Sequence, residues 1–209
     1  MTTVFDRRRL LIGGAAIAAP LILPAPLKAA ATASAVTPYE RKVLEIAAQQ
    51  KERVASHLWR TDLVGIADYA RPSWEPRMHL ANLEQGTVRS YLLTHGRGSD
   101  REHDGWLKTF SGTPGSEATS RGAYLTCEWY KGKYGTSVRL VGLDPDNATA
   151  LDRLIVMHQA WYAERDMVEK WGKLGRSEGC FALGQEAFGD VLYRLSGGCL
   201  LFADQIASA

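Results

Sequence analysis

One cysteine and one upstream histidine are the residues of this 209-residue chain whose types and spacing best suit catalysis. Cys180 closes the segment 175–180, of sequence GRSEGC, and His158 follows the apolar run at 154–157. A thiol becomes nucleophilic when a nearby imidazole takes its proton, and glycine lets the backbone turn sharply. We therefore predict a cysteine nucleophile with a histidine base, and backbone N–H groups at Gly179 and Cys180 that bind an oxyanion. A buried structural His and Cys are the alternative.

The first 35 residues have the pattern of an export signal. Arginines at positions 7–9 precede an apolar stretch at 10–19, and three prolines interrupt that stretch before it is long enough to span a bilayer. Paired arginines before two leucines are typical of a twin-arginine signal. We expect residues 1–35 to be removed and the remainder to reach the periplasm without a stable membrane span. An uncleaved N-terminal anchor is the alternative.

The charge balance changes when the signal is removed. The whole chain carries a formal net charge of +2, and residues 1–35 contain four basic residues and one acidic residue, so the remainder is at −1. A domain with this balance has no electrostatic preference for nucleic acid. The remaining length, about 170 residues, suits one domain with a single core.

Periodicity and turn signals predict an α+β domain that is mainly β, with helices at its margins. Thr37, Pro38 and Glu40 form an N-cap and capping box, so a helix is expected from there to about residue 57, within an N-terminal segment at 36–60. The polar, Gly-rich segment 96–122 predicts a long loop, and such loops are usually functional. Strands are predicted over 62–69, 77–83, 87–94, 123–129, 137–142, 153–158 and 199–203, and further helices over 162–171 and 185–195.

Three other sets of residues leave alternatives open. Cys127 and Cys199 either form a disulfide, which leaves Cys180 free, or are buried apolar side chains. His95 and His103 lie among carboxylates without the compact spacing of metal ligands, which favours a solvated loop, and we expect no metal or cofactor. Four tryptophans either pack in the core or line a glycan or peptide groove; they are Trp106, Trp129, Trp161 and Trp171.

The cysteine segment also resembles a family signature. Ser177-Glu178-Gly179-Cys180 with an upstream His158 resembles the His … Ser/Thr-x-Gly-Cys signature of bacterial L,D-transpeptidases of the YkuD type. The segments 110–116, 120–124, 137–143 and 174–177 look like the second, less common branch of that family. The resemblance covers roughly residues 75–203. It implies a catalytic domain over residues 61–209 with a β-sandwich or barrel and peripheral helices.

The resemblance implies chemistry on peptidoglycan stem peptides. Cys180 would attack the carbonyl before the terminal D-Ala of a tetrapeptide, and a neighbouring stem amine would resolve the thioester into a cross-link. His158 would act as base and then acid, and Ser177 would orient the imidazole or the turn. Ser120 and Tyr124 would lie at the strand entry that lines the cleft.

The sequence departs from the family pattern in three ways. Glu178 stands where His is frequent, Gln159 follows His158 where Gly is usual, and Phe181-Ala182 replaces an aliphatic-Arg pair after the cysteine. Without that arginine, the substrate carboxylate lacks its expected partner. Two other arginines, Arg176 and Arg139, are the replacement candidates, and surface ion pairs are the alternative for both.

Two further functions remain open beside cross-linking. With water as the acceptor, the same chemistry would make an L,D-carboxypeptidase or endopeptidase. A non-catalytic wall-binding module that keeps the fold would explain the altered residues. A papain-like peptidase is disfavoured, because that class has its cysteine before its histidine in the chain.

Overall fold

The computed structural model describes residues 36–206, so the predicted export signal at 1–35 lies outside the described residues. The described part contains three α-helices and eight strands. In chain order they are α1 (Pro38–Arg53), β1 (Leu63–Asp68), β2 (Met78–Asn82), β3 (Thr87–Tyr91), β4 (Gly122–Gly132), β5 (Gly135–Gly142), β6 (Val156–Gln159), α2 (Arg165–Trp171), β7 (Phe181–Leu183), α3 (Gln185–Leu195) and β8 (Leu200–Asp204).

The strands form one mixed sheet in the order β3-β2-β1-β8-β4-β5-β6-β7. The hairpins β1–β2, β2–β3 and β4–β5 are antiparallel, whereas β1–β8 and β6–β7 are parallel. The chain after β3 then crosses to the opposite edge, where the Thr94 N–H donates to the Ala182 carbonyl at 3.0 Å and Gly96 forms a bridge with Ser177. The sheet therefore curls, and this contact places the start of the long loop beside the cysteine segment.

Apolar side chains form a core on each face of the sheet. α1 buries Val43 and Ala47 against one face, which includes Val64 and Leu200. The other face carries the larger cluster, with α3 packed on it and Phe181 near its centre. This arrangement confirms the predicted α+β class, mainly β with helices at the margins.

α1 begins where its capping residues predict. The Thr37 hydroxyl accepts from the Glu40 N–H at 3.1 Å, and the Glu40 carboxylate accepts from the Thr37 N–H at 2.8 Å. This capping box is local in sequence, which is why it could be predicted. Among residues 36–206, no helix combines the length and apolarity that crossing a bilayer requires.

Several predicted elements differ from the observed ones. α1 ends at Arg53 rather than near residue 57, β3 ends at Tyr91 rather than at residue 94, and β7, which follows the cysteine, was not predicted. The predicted strand at 153–158 begins only at Val156, because the chain still turns at Leu154, whose φ is +56°. The predicted helix at 162–171 is divided into a 3₁₀ turn at Trp161–Ala163 and α2. Hydrophobic periodicity alone does not register such tight turns.

The cysteines at 127 and 199 are both free thiols. The β4–β8 register pairs Leu125 with Leu200, so Thr126 lies opposite Cys199 and the two cysteines are offset by one residue. Neighbouring positions along a strand point to opposite faces, so this register does not favour a disulfide.

Gly189 lies inside α3, where a Cβ would meet no atom within 4 Å. We expect Gly189→Ala to raise the free energy of unfolding by about 0.5–1 kcal/mol, because alanine restricts the unfolded chain without a new contact. Urea denaturation measures this difference. Gly65→Ala is the matched control and should destabilise, because a Cβ there would lie 2.6 Å from Leu195 Cδ2.

Candidate active site

Parallel pairing of β6 and β7 places His158 and Cys180 on neighbouring strands. Met157 pairs with Phe181 and His158 with Ala182, so Cys180, just before β7, is diagonal to His158. Residues at i and i+2 share a sheet face, so both side chains point to the same side. Diagonal neighbours in a sheet are about 7–8 Å apart at the backbone, a separation that long side chains can span.

The His158 ring is held in one tautomer. Its Nδ1 lies 2.8 Å from the Gln159 carbonyl oxygen, which can only accept, so Nδ1 carries the proton and Nε2 keeps a lone pair. Burial lowers the pKa of His158, and the Gln159 carbonyl opposes that shift. Tyr134, from the β4–β5 turn, stacks on the imidazole with ring centroids 4.5 Å apart and planes 19° apart. The neutral ring is thus fixed from two sides, with Nε2 available as a base.

The Cys180 thiol is nearly buried, with 7% of the residue exposed. Its Sγ donates to the Leu154 carbonyl at 3.7 Å, and the described residues show no hydrogen bond between Sγ and His158. Burial raises the pKa of Cys180, as does the Glu178 carboxylate to a smaller extent, whereas the Val156 N–H and Arg153 favour the thiolate. The resting pair is therefore a neutral thiol and a neutral imidazole.

Ser177 holds the turn that presents the cysteine. Its hydroxyl donates to the Cys180 carbonyl at 2.6 Å and accepts from the Gly179 N–H at 3.2 Å. Its backbone is fixed to the long loop, because its N–H donates to the His95 carbonyl and its carbonyl accepts from the Arg97 N–H. The placement therefore assigns Ser177 to the turn, and the Gln159 carbonyl orients the imidazole.

Gly179 occupies a conformation that only glycine adopts easily, with φ of +110°. A Cβ there would lie 2.7 Å from the Ala118 carbonyl oxygen and 2.9 Å from Ile155 Cδ1. Its N–H already donates to Ser177, so of the two predicted oxyanion donors the Cys180 N–H is the better candidate.

A buried polar chain supports the loop behind Ser177. Arg77 Nη2 lies 2.7 Å from His95 Nδ1, and His95 Nε2 lies 3.1 Å from the Asp100 carboxylate. Because arginine only donates, His95 Nδ1 accepts and Nε2 donates to Asp100. Burial, with the positive charge of Arg77, lowers the pKa of His95 to about 3, so the ring stays neutral. The predicted solvated loop is wrong at His95, which is 1% exposed.

Arg153 is a cation beside the cysteine turn that the sequence analysis did not single out. Its guanidinium donates to the carbonyls of Ala118 at 2.6 Å and Ser111 at 3.0 Å, and no carboxylate within residues 36–206 pairs with it. The missing side chain of Gly179 leaves Nη2 room, since a Cβ there would lie 3.1 Å away. The positive charge of Arg153 therefore favours the thiolate form of Cys180.

The two arginines predicted to bind substrate have structural partners instead. Arg176 donates to the carbonyls of Asp100 and Arg101 in the long loop. Arg139 pairs with the Glu128 carboxylate at 2.7 Å on the surface of the β4–β5 hairpin. Sequence alone could not distinguish these arginines from Arg153, because each lies near a predicted strand or turn and only the fold decides which one faces the thiol.

Tyr124 and Ser120 lie beneath the site. Tyr124 is fully buried, donates to the Ser120 carbonyl at 2.8 Å and packs edge-on against Phe181 at 5.2 Å. Ser120 is 1% exposed. Their predicted contact with substrate at a cleft lining is disfavoured by this burial, and both residues support the strand that carries the cysteine turn.

The open side of His158 is a cleft of about 470 Å³. Tyr134, Gln159, Trp161 and Tyr162 line it with His158. Tyr162 packs against the start of the cysteine segment, because its carbonyl accepts from the Gly175 N–H at 2.8 Å and a Cβ at Gly175 would lie 2.6 Å from Tyr162 Cβ. Aromatic walls around a fixed imidazole suit an extended ligand, and Cys180 is outside the lining of this cleft, just before the neighbouring strand.

Glu178 provides a test of the charges around the thiol. Its carboxylate raises the pKa of Cys180, while Arg97 at 3.3 Å partly neutralises it. We expect Glu178→Gln to move the pH dependence of Cys180 alkylation to lower pH, since the thiolate loses a repelling charge. Peptide mass spectrometry follows alkylation at this cysteine alone. Glu128→Gln, at a similarly exposed carboxylate, should leave the profile unchanged, and equal shifts in both variants would contradict the assignment.

Comparison with known protein families places this chain in one of them. The YkuD_2 family, described as L,D-transpeptidase catalytic domain, matches residues 36–203. This match covers most of the chain and confirms the resemblance inferred from the cysteine segment. The chain therefore belongs to the family of L,D-transpeptidase catalytic domains. No curated protein sequence matched this chain.

Several solved structures are similar to this chain at low identity. An L,D-transpeptidase from Mycobacterium smegmatis is 14% identical with a TM-score of 0.42, over 68% of this chain and 58% of that one. L,D-transpeptidase 3 from Mycobacterium tuberculosis, with a faropenem-derived adduct, is 12% identical with a TM-score of 0.45, over 68% and 60%. The helical cell shape determining protein Pgp2 from Campylobacter jejuni is 12% identical with a TM-score of 0.43, over 83% and 58%. The chain thus spans less than two thirds of each of these chains.

Proposed function

We propose that this domain is a cysteine acyl transferase that acts on peptidoglycan stem peptides. The observation that carries the proposal is the diagonal placement of His158 and Cys180 on paired strands, with Nδ1 bound by the Gln159 carbonyl. A histidine whose Nδ1–H is held by an acceptor has Nε2 free to take a thiol proton. The third group that orients the base is the Gln159 backbone carbonyl, which takes the place of the side-chain acceptor in a Ser-His-Asp triad.

Acylation begins when Cys180 Sγ attacks the carbonyl carbon that precedes the terminal D-Ala of a tetrapeptide stem. The thiol proton passes to His158 Nε2, and the carbonyl oxygen becomes an oxyanion. The Cys180 N–H donates to this oxyanion, and the positive charge of Arg153 favours both the thiolate and the oxyanion. This electrostatic role of Arg153 differs from the binding of the substrate carboxylate that was expected of Arg176 and Arg139.

The tetrahedral intermediate collapses when the C–N bond breaks and His158 returns its proton to the departing amine of D-Ala. A thioester on Cys180 remains. The amine of a neighbouring stem then attacks the thioester, His158 takes the proton that this amine loses, and the sulfur leaves. A new amide bond forms and the thiol is restored, so the cross-link needs no ATP.

Incubation of the purified domain with tetrapeptide muropeptides tests the proposal. Release of D-Ala with new muropeptide dimers supports transpeptidation, whereas shorter stems without dimers identify a hydrolase that uses water as the acceptor. Intact-mass detection of a carbapenem adduct on Cys180 tests the nucleophile separately. Absence of an adduct and of any product, together with sacculus binding, would identify a non-catalytic wall-binding module.

We also propose that residues 1–35 direct the protein to the periplasm by the twin-arginine route. The arginines at 7–9 and the apolar stretch after them support this proposal. Cell fractionation with N-terminal sequencing of the mature protein tests it. A chain that starts near residue 36 in the periplasm is expected, and an intact N-terminus in the membrane fraction would identify an anchor.

A further inference from the structure

A second groove lies beside the cleft at His158. It has a volume of about 940 Å³ and runs along α2. It shares Trp161 and Glu164 with the His158 cleft, and Trp171 lies in its wall. A ligand bound across both spaces would therefore pass from the reacting carbonyl onto this aromatic wall.

Two tryptophans are exposed in this groove. Trp161 is 75% exposed and Trp171 is 61% exposed, although tryptophan is usually well buried in folded proteins. Trp161 starts the 3₁₀ turn before α2 and Trp171 ends α2, so both are on short regular elements rather than on a long loop. Exposed aromatic side chains grouped in a groove are typical of a binding surface.

The charges along the groove indicate an uncharged, hydroxylated ligand. Glu164 and Asp166 are balanced by Lys170 and Lys173, so an anionic or cationic ligand gains no net attraction. The Glu164 carboxylate is fixed by the Gln185 N–H at 2.7 Å. Carboxylates accept from sugar hydroxyls, ammonium groups donate to acetamido carbonyls, and the C–H face of a sugar ring stacks on the electron-rich face of an indole.

We propose that the groove between Trp161 and Trp171 binds the glycan strand, made of N-acetylated amino sugars, that carries the stem peptide. This inference rests on the proposed function, because Trp161 and Glu164 line both the groove and the His158 cleft and so place the sugar site next to the reacting stem. The groove thereby selects stems attached to glycan over free peptides. The uncharged sugars contact the tryptophans, while the peptide extends toward Cys180.

The test measures sugar binding without chemistry. The full domain carrying Cys180→Ala is titrated with a β-1,4-linked tetramer of N-acetylglucosamine, and tryptophan fluorescence or calorimetry reports binding. We expect saturable binding that Trp171→Ala weakens roughly tenfold, since one aromatic stacking partner is lost. Trp171→Phe should retain most of the affinity. Trp129→Ala, at a tryptophan that is 64% exposed outside the groove, is the matched control and should bind like the parent.

Three results would overturn the proposal. They are no saturable binding, equal affinity in the Trp171→Ala and Trp129→Ala proteins, or displacement of the sugar by a free tetrapeptide, which would assign the groove to peptide. Self-association that Trp171→Ala abolishes, without sugar binding, would assign it to a second copy of the chain. Sugar binding is measured with the Cys180→Ala protein, so it can be interpreted even if the acyl-transfer reaction fails. Conversely, absence of sugar binding would not contradict the acyl-transfer proposal.

Discussion

Cys180→Ala is expected to reduce release of D-Ala from tetrapeptide muropeptides by at least about 10³-fold, because the proposed thioester forms on the Cys180 thiol. The fold should persist, since the Sγ atom makes one weak hydrogen bond, to the Leu154 carbonyl at 3.7 Å. Chromatography of released D-Ala measures the rate, and urea denaturation measures the stability of the variant.

Cys127→Ala is the matched control for this experiment. Its thiol makes a similar hydrogen bond, to the Leu125 carbonyl at 3.7 Å, but lies on β4, away from the His158 cleft. We expect the control to keep the parent rate. If Cys180→Ala turned over the stem as fast as Cys127→Ala, the thiol would not be the nucleophile.

Gly179→Ala is expected to destabilise the domain by about 1–3 kcal/mol and to displace the cysteine turn. The backbone at Gly179 has φ of +110°, and the new Cβ would meet the Ala118 carbonyl oxygen at 2.7 Å. The positive φ and the close contact can be relieved only if Ala118 or the cysteine turn moves. Urea denaturation reports the loss of stability, and the alkylation rate of Cys180 reports the displaced thiol.

Gly115→Ala separates the cost of a positive φ from the cost of the close contact with Ala118. Gly115 also has a positive φ, +77°, but a Cβ there would meet no atom within 4 Å. We expect this control to show only the smaller cost of the backbone conformation, with unchanged alkylation of Cys180. Equal effects in the two variants would mean that close packing against Ala118 contributes nothing.

Local features of the fold could be predicted because their signals lie within a few residues. Thr37 and Glu40 cap α1, and the glycines near residues 86 and 132–135 mark the turns of two hairpins. The mainly β class followed from such signals. The 3₁₀ turn before α2 and the late start of β6 did not, because they depend on contacts that the chain makes only when folded.

The candidate site could be predicted only in part. Cys180 and His158 were found because their residue types have few uses other than catalysis or burial, and the Gly179 signature narrowed that choice. The role of the Gln159 carbonyl was missed because every residue has a backbone carbonyl, so the amino-acid type does not show which one binds the imidazole. Tyr134 was missed because its position against His158 follows from the pairing of β5 with β6, which no local pattern specifies.

The sequence by itself predicted the family, which the family match confirmed, and it proposed Cys180 with His158 and the glycine of the cysteine turn, since each depends on residue type and short spacing. Only the tertiary structure decided that Arg153, rather than Arg176 or Arg139, lies beside the cysteine turn, and that Tyr124 is buried. The physical reason is that charge and burial act through space. An arginine is equally basic anywhere in the chain, and its effect on a thiol depends on the distance and dielectric that folding creates.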